Sequence, residues 1–258
     1  MISRYSVSLG GIQMDSLDED LLILDIGYTS PDASIVSNRV ANADGYDFNA
    51  SYFEKNSVTI TFELHIYDTA KRNAACQAVN AWAMAGGTLA VNDRPDQVLL
   101  HTRCEKYASI ESARNWTDPL TLVFSTTYVP YWVSEEARTL TLFGSQPSGT
   151  LNMDGNIGNA LVSVDVTATD AFSSFQIKVG DSRLTMTGLS VPKNGKLVID
   201  YIRDRYLRIT ANGSSALAKV NPSSSTDMLY APCGSDSSVT IIANGKVTAA
   251  ISARGLWL

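Results

Sequence analysis

The chain has 258 residues, 45% of them hydrophobic and 18% charged, with a net charge of −6. That is enough apolar material for one large or two ordinary domains and too much for a disordered chain. The acidic balance argues against a dedicated nucleic-acid binder, and three cysteines with two histidines argue against a disulfide scaffold or a multi-ligand zinc site.

No stretch approaches the roughly 20 apolar residues of a membrane helix. The opening segment lacks the apolar core of a secretory signal. The chain therefore reads as soluble, made in the cytoplasm and not inserted in a membrane. In chain order, Tyr5–Leu9, Leu21–Tyr28 and Ser34–Val40 are short β-rich segments separated by turn residues. From Ser57 to Tyr67, Val58, Ile60, Phe62, Leu64 and Ile66 alternate with polar or amphipathic neighbours. Period-two alternation over ten residues predicts a half-buried strand. A helix follows, with Asp68 or Thr69 as N-cap. Ala75, Ala78, Val79 and Trp82 fall on one of its faces, and Gly86-Gly87 ends it. Thr88–Val91, Gln97–Ile110 and Leu120–Tyr128 then read as strands, the first two joined by Asn92-Asp93-Arg94-Pro95-Asp96. Strands, one helix and more strands make an α+β layer pattern.

A boundary falls between Val133 and Gly158, where Gly, Pro, Ser and Asn crowd together. The charge changes there too. Residues 1–133 hold 9 basic and 16 acidic side chains, net −7; residues 134–258 hold 11 and 10, net +1. We read an N-terminal domain over 1–133, a connection over 134–157 with a short strand at Arg138–Phe143, and a C-terminal domain over 158–258. No convincing helix occurs in the C-terminal domain. Its predicted strands are Ala160–Ala168, Ser174–Val179, Ser182–Met186, Lys196–Asp200, Tyr206–Ala211, Met228–Tyr230, Val239–Ala243 and Val247–Ser252. With Asn-Gly turn dipeptides at 194, 212 and 244, this spacing predicts a β-sandwich.

Reactive chemistry is thinly represented. His65 and His101 sit inside predicted strands, and no cysteine has a partner at metal spacing. The run Asp15-Ser16-Leu17-Asp18-Glu19-Asp20 lacks the alternating ligands and turn glycine of a calcium loop. Asp154-Gly155-Asn156-Ile157-Gly158 lacks the lysine and strand-to-helix setting of a phosphate loop. A glycoside hydrolase would rest on abundant carboxylates alone. The sequence reads as a non-enzyme without a cofactor, a metal or a catalytic residue. Tyr131 and Trp132 beside Pro130 stand out as a candidate partner-binding aromatic pair.

Three stretches line up with a known family. They are Ile60–Asp68 with Val79–Ala83, Gly86–Leu89 and Asp93–Gln97; Phe124 to the Pro130-Tyr131-Trp132 ending; and Ser223–Leu229, Pro232-Cys233-Gly234 and Ser252–Trp257. Together they resemble the distal tail proteins of long-tailed, non-contractile bacteriophages, components of the siphovirus baseplate hub. The resemblance implies a mainly β protein with one helix, an N-terminal α+β tail-tube-like domain and a C-terminal galectin-like β-sandwich. It implies a homo-hexameric ring at the tip of the virion tail, which joins the tail-tube protein to the tail-associated hub or lysin protein. In many relatives the outer domain carries receptor-binding parts.

On that footing Asp93, Arg94, Pro95 and Asp96 are a candidate ring contact, with an intramolecular turn pair as the equal alternative. DNA must pass through a ring without being held, and an acidic wall repels phosphate where a basic one would stall it. Asp15, Asp18, Glu19 and Asp20 are the candidate contributors to such a lumen. The competing function is a carbohydrate-binding, lectin-like adhesion protein that uses the aromatics as stacking platforms.

Overall fold

Alternation of side chains along the strands organises both halves of the chain. The computed structural model describes residues 5–31, 33–39, 46–110 and 118–258, and these divide into two units. One runs from residue 1 to Trp132 and takes in Leu258; the other runs from Val133 to Trp257. Both are dominated by antiparallel strands, and one α-helix occurs among the described residues.

The N-terminal unit contains β1 (Val7–Leu9), β2 (Ile12–Gln13), β3 (Leu21–Thr29), β4 (Ala33–Arg39), β5 (Tyr46–Phe53), β6 (Ser57–Leu64), α1 (Thr69–Ala85), β7 (Gly87–Val91), β8 (Gln97–Lys106) and β9 (Leu120–Thr126). Its main sheet has the order β2-β1-β7-β8-β9-β6-β3, and β4 and β5 pair with each other as a separate hairpin. The sequence reading missed β5, and Val40 lies outside the described residues. In β6 the predicted alternation holds, with Val58, Ile60, Phe62 and Leu64 all buried. Their partners across the sheet, Phe124, Leu122 and Leu120 on β9, are buried as well.

The helix begins where the sequence places it. Asp68 Oδ1 accepts from the backbone N–H groups of Ala70 (2.8 Å) and Lys71 (3.0 Å). Those two bonds hold the Asp68 carboxyl below its ordinary value. Gly86 closes the helix at φ +62°, and a Cβ there would stand 2.8 Å from the Thr102 carbonyl oxygen. A glycine is therefore needed on two counts. The buried face is Arg72, Ala75, Cys76, Val79, Trp82 and Ala83. Ala78, expected on that face, is exposed; Trp82 swings the stripe toward Ala83, and its ring meets Phe124 edge-on at 5.8 Å. The Trp82 indole N–H donates to the Ile12 carbonyl (3.0 Å), which satisfies its polar end on burial.

β10 (Trp132–Ser134) spans the point of division. The C-terminal unit then contains β11 (Arg138–Gly144), β12 (Ser148–Asn152), β13 (Asn159–Ala168), β14 (Phe172–Val179), β15 (Ser182–Val191), β16 (Lys196–Ile202), β17 (Tyr206–Ala211), β18 (Ser214–Ser215), β19 (Tyr230–Pro232), β20 (Asp236–Ala243), β21 (Val247–Ala253) and β22 (Leu256–Trp257). One sheet runs β11-β21-β13-β16-β17-β18, with β19 paired to β13, and a second runs β12-β20-β14-β15. Their inner faces share one core that includes Val162, Val164, Ile199 and Ile251 from the first sheet and Phe175, Ile177, Met186 and Ile241 from the second. The segment 134–157, expected as a connection, contributes β11 along β21 and β12 along β20. Gly, Pro and Ser are dense there because the chain crosses from one sheet to the other by tight turns. Those turns lie between neighbouring strands of one sandwich rather than between domains.

Candidate functional site

The turn between β7 and β8 carries the residues singled out as a ring contact. Backbone bonds from Arg94 N to Val91 O (3.2 Å) and from Gln97 N to Arg94 O (3.1 Å) shape it. Asn92 ties it to the start of the chain, its N–H donating to Ser6 O (3.0 Å) and its Oδ1 accepting from Ser6 N (2.9 Å). Tyr28, on β3, donates its hydroxyl to Asp93 Oδ1. The Arg94 guanidinium lies 5.0 Å over the Tyr28 ring and 4.7 Å over the Trp132 ring, while Nη1 donates to Gln97 Oε1 (3.2 Å). Tyr28 and Trp132 meet edge-on at 5.7 Å. The turn is thus clamped from inside its own unit.

The electrostatics favour that clamp. Burial first, then the hydrogen bond and charge of Asp93, push the Tyr28 hydroxyl far above its ordinary value, so it stays a neutral donor. Arginine suits the position because a planar, weakly hydrated cation stacks on aromatic faces. The four predicted contact residues therefore fall into two classes. Asp93 and Arg94 are tied into their own unit, Asp93 from an exposed position, and Pro95 and Asp96 are exposed as well.

The aromatic pair is separated in the same way. Trp132 is 1% exposed, so it offers no ring face to a partner, which corrects the expectation of an exposed pair. Sequence spacing places it beside Tyr131 but does not reveal that Arg94 and Tyr28 close over it. Tyr131 is half-buried, meets Phe53 edge-on at 5.7 Å, and has its hydroxyl pushed up by burial.

The acidic run lies between β2 and β3, beginning in a single 3-10 turn, Met14–Ser16. Buried Met14 anchors it, and Asp18 Oδ1 accepts from Asp20 N (3.0 Å). Asp15, Glu19 and Asp20 are exposed and Asp18 is half-buried. The structure thus keeps four carboxylates together near the surface of the N-terminal unit.

The other reactive residue types are absorbed structurally. His65 Nε2 is 2.7 Å from Glu63 Oε2, and the His101 ring stands edge-on to Tyr128 at 5.4 Å. Burial raises the thiol pKa of Cys76, Cys104 and Cys233, which keeps each protonated and poorly nucleophilic. Among the described residues no three His, Cys, Asp or Glu side chains cluster to hold a metal, and no helix is long and apolar enough to cross a membrane.

A second charged turn, Arg203-Asp204-Arg205, carries charges of mixed sign. It joins β16 to β17 at an exposed tip. Below it, Arg208 pairs with Asp200, Nε donating to Oδ1 at 2.7 Å. Tyr201 donates its hydroxyl to Leu229 O (3.0 Å) and accepts from Leu229 N (2.8 Å).

No protein-family model matches the sequence, and no curated protein matches it. Solved structures do match the fold. The SPP1 Dit (gp 19.1) protein, described as a paradigm of the hub adsorption apparatus in phages that infect Gram-positive bacteria, superposes with a TM-score of 0.75 at 10% identity. The match covers 97% of this chain and 98% of that one. Chains of the phage P2 baseplate in its activated conformation, with Ca and with Sr, match at TM-scores of 0.50 and 0.51 and at 6% and 5% identity. Each of these two covers 98% or more of both chains. At such identities the likeness establishes a shared fold over the whole length of the chain.

Proposed function

We propose that this chain is a structural connector at the tip of a bacteriophage tail. Six copies form a ring through their N-terminal units. The ring joins the tail tube to the hub or baseplate, carries the adhesion apparatus, and leaves a channel for DNA. The observation that carries this reading is the end-to-end match of both units, in order, to a phage hub protein. A separate motif likeness in the sequence leads to the same family, and the side chains described above serve packing rather than a reactive centre.

A closed ring needs two different complementary surfaces on each copy. Among the described residues β3 stands at one end of the main sheet, and end strands favour continuation of a sheet by a neighbouring chain. Pro95 and Asp96 remain candidates for the contact; Asp93 and Arg94 act behind them by holding the turn. The carboxylates of Asp15, Asp18, Glu19 and Asp20 fit an acidic channel wall that repels DNA. With Trp132 buried, the lectin-like alternative loses one of its stacking aromatics and rests on the galectin-like resemblance of the C-terminal domain.

Electron microscopy of the purified full chain tests the proposal. Particles with six-fold symmetry and a central hole are expected. A monodisperse monomer that binds glycans would overturn it. A ring whose channel wall is neutral or basic would remove the role given to the acidic run and leave the connector reading standing.

A further inference from the structure

We infer that β11 is a seam along which two copies of this chain pair, their C-terminal units joined edge to edge about a two-fold axis at Thr141. The inference does not depend on the ring.

The first observation is how the ends of the two sandwich sheets are finished. Unpaired strand edges invite pairing with other chains, and edges that stay closed are blunted or covered. The outer edge of β15 is strapped. Backbone N–H groups of Thr185 and Arg183 donate to Ser225 Oγ (2.9 Å) and Thr226 Oγ1 (3.0 Å), and Thr226 N donates to Arg183 O (2.7 Å). At the end of the other sheet β18 is two residues long. β12 has five residues, with Ser148, Thr150 and Asn152 exposed. β11 is different. It ends its sheet with seven residues, pairs with β21 in unbroken register, and has no other hydrogen-bonded strand beside it among the described residues. No proline or bulge interrupts it. Its one charge, Arg138, stands at the first position and pairs with Asp154.

The second observation is that β11 complements itself. An antiparallel partner β11 in the register that uses all seven residues sets Thr141 against the partner's Thr141. Leu140 then meets the partner's Leu142, Thr139 the partner's Phe143, and Arg138 the partner's Gly144. Residues two apart share a face, so leucines meet leucines on the core side. There Leu142 is buried and Leu140, half-buried, packs against the same core. On the outer side the Phe143 ring meets a threonine, an aromatic–β-branched pair of the kind that stabilises sheets. Phe143 is 64% exposed, the most exposed large apolar side chain of its unit, and pairing takes it out of water. The two arginines stand at opposite ends, so no like charges are opposed.

The contact is isologous, the same patch on both copies, whereas a ring joins two different patches; neither excludes the other. A seven-residue ladder is small beside a standard interface of about 1,600 Å², so covalent trapping reads it better than sizing.

The test incubates the full chain carrying Thr141→Cys with oxidised glutathione and reads dimer by non-reducing electrophoresis, with the wild type giving the background from Cys76, Cys104 and Cys233. Facing residues of an antiparallel pair have Cα atoms about 4.5–5.5 Å apart, which a disulfide spans. Pairing raises the effective concentration of the two thiols, so a yield at least about tenfold that of the wild type is expected. Thr139→Cys and Phe143→Cys chains should cross-link when mixed and not when each is alone. Adding Thr141→Lys, a change at an exposed position whose melting temperature checks the fold, sets two ammonium groups face to face and should lower the mixed yield about tenfold. A Thr141→Cys yield no higher than the wild type, single variants that cross-link as well alone as mixed, or a mixed yield indifferent to Thr141→Lys would overturn the inference. An edge kept for a strand of another protein gives the first of these results. Six-fold particles without the cross-link would sink the seam and leave the connector reading; the cross-link on a chain that never forms a ring would do the reverse.

Discussion

Two turns of this molecule look alike in sequence and end differently. Asp93-Arg94-Pro95-Asp96 and Arg203-Asp204-Arg205 are both short, charged and placed between antiparallel strands. In the first, the arginine lies over two aromatic rings and the aspartate accepts a tyrosine hydroxyl. In the second, the charged residues stand at an exposed tip beside Ile202 and Tyr206. A charged turn thus becomes scaffold or surface according to what lies beneath it. Aromatic faces draw an arginine inward; at the hairpin tip Arg203, Asp204 and Arg205 stay exposed.

The largest effect that would break the first half of this comparison is removal of the lid over Arg94. Trp132→Ala takes a fully buried ring out of the N-terminal unit and leaves both Tyr28 and Arg94 without their neighbour. A loss of about 3–5 kcal/mol is expected. Calorimetry of the full chain should show it, with protease cleavage increased in residues 5–131. A loss below about 1 kcal/mol, the scale of an exposed cation–π contact, would mean that the turn is held without the clamp.

The matching anchor in the second region is Tyr201, whose hydroxyl serves both backbone groups of Leu229. Tyr201→Phe leaves the buried Leu229 N–H unpaired, while Leu229 O still accepts from Val162 N (3.1 Å), at a cost of about 1–3 kcal/mol. It also carries a pH signature. Burial is the main cause that pushes the Tyr201 hydroxyl up to about 12 from its ordinary value of 10.0. The folded pKa is raised, so the contribution is fully present below pH 10 and is lost as pH rises toward 12. An alkaline denaturation series should lose the component of its slope in that window in Tyr201→Phe. An unchanged slope would assign the alkaline transition to other groups.

Arg94 sharpens the contrast between stacked and exposed arginine. Arg94→Ala is expected to cost about 1–2 kcal/mol, the range for a cation partly shielded by aromatic rings. Arg94→Lys should recover only some of it, because an ammonium lacks the planar face. Arg205→Ala, at the exposed tip, should change stability by no more than about 0.5 kcal/mol. Equal costs at the two positions would erase the distinction. The same reasoning makes Asp96→Arg the cleaner probe of the ring contact, since Arg94 variants would weaken the turn itself.

The elements legible in the sequence were those governed by local periodicity and punctuation. β6 alternates over its whole length, Asp68 and Gly86 mark the ends of α1, and Tyr206–Ala211 reproduces β17 to the residue. What escaped depends on contacts remote in sequence. Trp132 reads as an exposed aromatic until Tyr28 and Arg94, more than thirty residues away along the chain, close around it. The sequence shows β11 as a short strand inside a connection and does not show β12, whose turn residues are denser than its apolar ones; pairing with β21 and β20 reveals the place of both. The Arg203–Arg205 tip carried a mixed-sign charge pattern and no local clue to its backbone strain. Side-chain chemistry was visible at every one of these positions, but the neighbour that gives it meaning was not.

The most discriminating effect is a small one whose sign is opposite to the others. Replacing Arg203-Asp204 by Asn-Gly puts the residue types of Asn212-Gly213 at the two positive-φ positions of this three-residue loop. A left-handed backbone costs a side-chain-bearing residue roughly 1–2 kcal/mol, somewhat less for Asp or Asn. Glycine regains that cost but adds roughly 0.5–1 kcal/mol of chain entropy to the unfolded state. The balance is a gain of about 0.5–1 kcal/mol, which for a unit of this size raises the melting temperature by a few degrees, about 2–8 °C per kcal/mol being the usual slope. Among the substitutions considered, this is the one expected to stabilise the fold while removing charge from an exposed surface. If stability falls instead, Arg203 and Asp204 hold the hairpin together as Asp93 and Arg94 hold theirs. Both turns would then be scaffold.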